Sequence, residues 1–203
     1  MKKRGIILGS IAVISTLMTT GCVSPFYGAS RIEPGWDLNA GLALTSFSSP
    51  AYDWNYCIGL RGDCEIGYGF NKYFKAGGRV GGGGGFSIPG GEEPPTSYSG
   101  PFPLIEGALA VQGSYPFKQV TPALRIEAGS NFSIMPLVGF GYPEWLTLGC
   151  RIWFLYTAEV LVPDFFVTVR PLPRLSIFAG VNAVSILTES LPIASIGFGY
   201  KLK

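Results

Sequence analysis

The residues best able to do chemistry in this 203-residue chain are twelve charged side chains spread along alternating segments. Arg61, Lys75, Arg79, Arg125, Arg151, Arg170 and Lys201 are positive; Asp37, Asp63, Glu65, Glu106 and Glu127 are negative. Such groups can bind ions, line a conduit or pair with one another. They do not activate a hydroxyl or a water as Ser–His and Asp–His arrangements do, and the chain has 0 histidines. No CxxC occurs and no metal-ligand set can be assembled, so neither cofactor nor metal is expected and the chain is read as no enzyme. The run Gly81 to Gly85 has the composition of a phosphate loop but not its context, because Phe86 and Ile88 continue a strand pattern and no helix follows. Its glycines are read as allowing sharp bending and close strand approach. The sharper alternative is a lumenal segment or ligand lying against a bare wall.

The elements that would position those charges begin after an export signal. Met1-Lys-Lys-Arg4 precedes an apolar run from Ile6 to Met18, followed by Thr19-Thr20-Gly21-Cys22. A basic start, a short apolar stretch and small residues before a cut site make a secretory signal. At roughly 13 residues the run is too short to cross a bilayer as a helix. The closing Thr-Thr-Gly-Cys resembles the lipobox of bacterial lipoproteins. That resemblance implies cleavage before Cys22 and acylation of Cys22. The expected organisation is a signal peptide over 1–21, a lipid-anchored tether over 22–35 with its lipid in the inner leaflet, and one domain over 36–203.

Composition narrows the class of that domain. Charged residues are 14%, aromatic residues 14%, Gly is 29 and mean hydropathy is +0.33, whereas soluble domains carry about 25% charge. No apolar stretch after Met18 is long enough for a membrane helix. A hydrophobic chain without helical spans points to the other structure that satisfies its backbone in lipid, a closed barrel. The net charge of +2 gives no reason to expect a nucleic-acid partner.

Period-two alternation recurs throughout. Ile58, Leu60, Cys64, Ile66, Tyr68 and Phe70 oppose Gly59, Arg61, Asp63, Glu65, Gly67 and Gly69; Ile196, Phe198, Tyr200 and Leu202 oppose Ser195, Gly197, Gly199 and Lys201. Strands are expected near 36–47, 56–70, 73–88, 102–116, 122–141, 145–157, 164–171, 174–187 and 193–203. Splitting 122–141 at the turn-forming Gly129-Ser130-Asn131 gives ten; discounting 164–171 would give eight. Connections alternate short and long, and aromatic residues gather at strand ends near both sets. With the apolar face turned to lipid, all twelve charges point inward. They form a paired network in a narrow barrel, or else a constricted, mildly cation-lined conduit favouring anions. Cys57 would point in and Cys64 out, so the two cannot pair along one strand.

Over 36–203 the chain resembles small bacterial outer-membrane β-barrels, through alternation, aromatic belts and turn asymmetry. The implied fold is an all-β, antiparallel up-and-down transmembrane barrel of about ten strands. The implied partners are outer-membrane lipid, the barrel-insertion and lipoprotein-processing machinery, and small solutes if the lumen conducts. Enzymes in that group typically rely on a histidine, which is missing here. The expected function is an outer-membrane barrel and lipoprotein with a structural or passive permeability role. The alternatives are a periplasmic lipocalin-like barrel holding an apolar ligand, and an adhesin acting through the Pro89 to Gly100 loop.

Overall fold

The computed structural model describes residues 21–48, 56–87, 102–129, 132–154, 161–183 and 193–202. Where apolar and polar residues alternate, the chain is extended, because only a strand sends successive side chains to opposite faces. After a two-residue strand β1 (Gly21–Cys22) come β2 (Gly35–Ser48), β3 (Tyr56–Gly69), β4 (Phe74–Ser87), β5 (Phe102–Ser114) and β6 (Val120–Gly129). They are followed by β7 (Phe132–Phe140), β8 (Leu146–Phe154), β9 (Leu161–Leu172), β10 (Leu175–Asn182) and β11 (Ala194–Lys201). Each of β2 to β11 pairs antiparallel with its sequence neighbours, and β11 returns to β2 from Lys201↔Asn39 to Ser195↔Thr45, closing a ten-strand barrel. The break between β6 and β7 falls at the Gly129-Ser130-Asn131 triplet, although residues 130–131 themselves lie outside the described residues. The brief 164–171 pattern belongs to a full strand, since Leu161 to Pro163 extend it by pairing with Phe154 to Ile152.

One rim carries the connections 70–73, 115–119, 141–145 and 173–174. Their chemistry is local. Asn71 Oδ1 accepts from the backbone N–H of Tyr73 (2.7 Å) and of Phe74 (3.0 Å), folding the β3–β4 turn. Gly141 adopts φ 92°, a left-handed conformation that a residue with a Cβ resists. At the opposite rim the strands end at residues 49–55, 88–101, 130–131, 155–160 and 184–192, the Pro89 to Gly100 loop among them, all outside the described residues; the two-residue 130–131 connection departs from the expected alternation of short and long.

The outer wall is oily. Leu109 is 75% exposed, and Leu42, Ile58, Ile66, Val80, Ile105, Leu148, Phe165 and Phe198 are exposed beside it. Along the short-turn rim from β2 to the β5–β6 connection, aromatic rings stand in contact. Trp36–Tyr68, Tyr68–Phe70 and Phe70–Phe74 lie 5.2, 5.3 and 5.6 Å apart between centroids, then Tyr73–Tyr115 and Tyr115–Phe117 at 6.1 and 5.0 Å. At the other rim Phe86 and Phe154 are exposed; the side chains of Tyr56, Phe102 and Tyr156 lie outside the described residues.

The Gly81 to Gly85 run behaves as close-approach glycine. A Cβ on Gly83 would stand 2.1 Å from the Leu60 carbonyl oxygen, and one on Gly85 2.6 Å from that of Ile58. Inside the barrel, Met135, Leu137, Phe166 and Phe178 form an apolar cluster with Val23, Phe26 and Tyr27. Replacing Phe178 with Ala removes a fully buried ring that packs on Phe166 and Tyr27. Urea unfolding of the F178A barrel in detergent should show a loss of about 3–5 kcal/mol, the usual cost of emptying a core aromatic.

Candidate functional site: a charged lumen threaded by its own chain

Strand parity sends residues 61, 63, 65 of β3, 75 and 79 of β4, 125 and 127 of β6, and 151 of β8 to the inside, and their charges meet there. Arg61 pairs with Asp63 (2.5 Å) and Glu106 (3.0 Å), and Lys75 with Asp37 (2.5 Å) and Glu65 (3.2 Å). Arg79 reaches Glu106 and, at 3.2 Å, Glu127. Arg125 joins Glu65 to Glu127, each at 2.8 Å, and Arg151 stands 3.7 Å from Glu127. These contacts link β2, β3, β4, β5, β6 and β8 through one chain of opposite charges. Two expected lumenal groups take carboxylates not foreseen in the sequence. Arg170 pairs with Glu144 (3.2 Å), and Lys201, at the short-turn mouth, pairs with Glu33 (2.7 Å). Arg125, Glu127 and Arg151 are each 1% exposed.

Residues 23–34, expected as a tether outside the barrel, instead run through the lumen. Val23, Ser24, Phe26, Tyr27, Ser30 and Ile32 are all buried. Side chains of the wall supply partners for much of its backbone. Ser195 Oγ donates to the Val23 carbonyl (2.6 Å), Arg151 to that of Ser24 (2.6 Å) and Thr168 to that of Phe26 (2.8 Å). Arg170 donates to the Gly28 carbonyl, and Gln112 to those of Ala29 (2.9 Å) and Ser30 (3.0 Å). Glu144, carried by the turn that Gly141 allows, accepts from Ser30 N (3.0 Å), Ser30 Oγ (2.8 Å) and Arg31 N (2.8 Å). Ser24 Oγ donates to Glu106 (2.8 Å) and accepts from Arg79, which splices the segment into the ionic network. The Arg125 guanidinium lies 5.4 Å from the Phe26 ring centroid.

Glycine makes room for this filling. A Cβ on Gly41, Gly197 or Gly199 would lie within 2.3–2.6 Å of the Tyr27 side chain. The bare wall that receives the chain is therefore the β2–β11 seam, not the Gly81 to Gly85 run. A cavity of about 670 Å³ opens at the short-turn mouth, where Tyr27, Ala29, Asp37, Lys75, Glu144 and Arg170 contribute to its lining.

Sequence reasoning missed Glu144 because it sits in a turn, and Asp164 because the β9 segment was begun at that residue. Asp164 accepts from Trp153 Nε1 (2.5 Å) and Asn182 Nδ2 (2.7 Å). A signal for the apolar filling was present: in Ile134-Met135-Pro136-Leu137-Val138 both strand faces are apolar, so something apolar must cover the inner one.

The class defined here is a closed, antiparallel up-and-down barrel of ten strands, apolar outside and charged inside, the distribution of transmembrane barrels. No protein-family model and no curated protein matches the chain. Similar solved structures include Ail, the attachment invasion locus protein of Yersinia pestis, in complex with the heparin analogue sucrose octasulfate. That match has 12% identity and TM-score 0.31, covering 84% of this chain and 100% of that one. A second structure of the same Ail protein matches at 14% identity and TM-score 0.29, with the same coverage. At such scores the likeness carries no weight, and the class rests on strand pairing and side-chain distribution.

Removing one member of the buried network strands its partners. Arg125→Leu leaves Glu65 and Glu127 each short of a cation and should cost about 3–5 kcal/mol in denaturant unfolding. Arg125→Leu combined with Glu127→Leu should cost less than the two single changes summed, because the Arg125–Glu127 pair is lost once in the double variant and twice in the sum.

Proposed function

We propose that this protein is an outer-membrane β-barrel lipoprotein of a bacterium whose role is structural rather than conductive or enzymatic. The observation that carries the reading is a wall inverted relative to a soluble protein, with Leu109, Ile105 and Val80 outward and Arg125, Glu127 and Arg151 inward. Strands such as β3 and β4 have 14 residues each, ample for a tilted crossing of a bilayer. Among the described residues no helix is long and apolar enough to cross a membrane. The export signal and Cys22 support secretion and acylation. The lack of histidine supports a role without catalysis.

Occupation of the lumen favours the plug over the conduit. A pore needs a continuous polar path; here Phe26, Met135, Leu137, Phe166 and Phe178 block the middle and the ionic groups are mutually paired. A lipocalin-like carrier would reverse the wall, with apolar residues lining an open interior and polar ones outside.

Planar-bilayer recording of the purified full chain should be silent. Stepwise currents from that chain would contradict the plug and restore the conduit. The lipid-facing wall has its own test. Leu109→Arg should lower stability in lipid vesicles by about 2–4 kcal/mol if the residue faces the bilayer interior, and by little if it faces water.

A further inference from the structure

The lumenal segment has a direction. Its first contacts, Val23 with Ser195 and Gly180, lie at the rim of the long connections. Its middle residues meet Thr168 and Arg125 halfway down, and its last ones meet Glu144, Phe117 and Lys201 at the short-turn rim, where Pro34 leads into Gly35. Twelve residues, 23–34, can reach at most about 40 Å when extended, enough to cross the roughly 30 Å of a hydrocarbon core.

What precedes Val23 is placed by backbone pairing. The hydrogen-bonded register of β11 with β2 ends at Ser195↔Thr45, while β3 occupies the other edge of β2 up to Ser48. Above Thr45 the edge facing β11 is taken by β1, and of its two pairs Cys22↔Phe47 is the one that survives cleavage before Cys22. Cys22 thus stands at the barrel seam, at the rim opposite the start of β2.

We propose that the N-terminal end of the mature chain emerges on the cell exterior, and that acyl chains on Cys22 enter the outer leaflet beside the β2–β11 seam. The proposal rests on the lipoprotein and outer-membrane readings above, with the long connections outside. Drawing the segment out to reach the inner leaflet would expose Phe26 and Tyr27 to water. It would also take from Arg79, Arg151, Arg170, Gln112, Thr168 and Glu144 the groups they now hold. Buried donors and acceptors left without partners make that alternative costly.

The test uses the full chain in a Gram-negative host, with a short epitope inserted after Cys22 in one version, in the Pro89 to Gly100 loop in a second and at Asn71–Lys72 in a third. On intact cells antibody should bind the N-terminal and loop epitopes alike and miss the turn epitope until the outer membrane is permeabilised. An N-terminal epitope that behaves like the turn epitope overturns the proposal. Radiolabelled palmitate incorporation, with its loss in Cys22→Ala, reads acylation separately. A surface N terminus without palmitate keeps the threading direction and ends the lipoprotein reading. A loop epitope hidden on intact cells ends the assumed orientation, and the proposal with it. If the inserted epitope abolishes heat-modifiable migration, a photoreactive phenylalanine analogue in place of Val23 serves instead. Cross-links to peptides containing Gly180 or Ser195 support the threaded path, and cross-links to other envelope proteins overturn it.

Discussion

Hydrocarbon offers no hydrogen bonds, and that constraint shapes everything else in this barrel. A wall facing acyl chains must pair its backbone around a closed circle, which the β2–β11 seam completes. Its charged side chains then have only the interior to occupy. Inside so narrow a barrel an isolated charge is expensive, so Arg79, Arg125 and Arg151 gather on Glu127, and Arg125 extends the chain of charges to Glu65. The lumen is therefore paired as a consequence of the exterior being oily.

The threaded segment solves a second packing problem. Ten strands enclose more space than their inward side chains fill, especially where Gly41, Gly197 and Gly199 contribute none. Phe26 and Tyr27 occupy that space, and six backbone carbonyls of the segment receive hydrogen bonds from Ser195, Arg151, Thr168, Arg170 and Gln112. Irregular backbone at membrane depth is tolerable only when protein surrounds it and meets its hydrogen-bonding needs. Protein surrounds this segment and supplies partners to those six carbonyls and to the amides of Ser30 and Arg31, so the segment acts as an interior support that ties the two rims together.

Strand order and facing were legible because period-two alternation is a local signal. Ile66 outward and Glu65 inward follow from parity once one face is assigned to lipid, and the ten-strand count followed from the Gly129-Ser130-Asn131 break. The path of residues 23–34 was not legible, because a segment without periodicity carries no statement of where it packs. Ser24 and Gly28 look like tether residues until Arg79 and Arg170 are seen to need acceptors. Glu144 was hidden for the same reason: its role depends on a turn folding back into the mouth, a long-range fact absent from local pattern. The inward glycines of β11 and the doubly apolar stretch of β7 were partial signals that the interior holds a guest.

Spin labels placed singly at Ile66 and Phe198 in lipid vesicles test most directly whether the oily face meets acyl chains. Relaxation by dissolved oxygen, which concentrates in hydrocarbon, should be strong, and relaxation by a water-soluble nickel chelate weak. Strong relaxation by the chelate at both positions would mean that the wall faces water, and the assignment of inside and outside would be wrong.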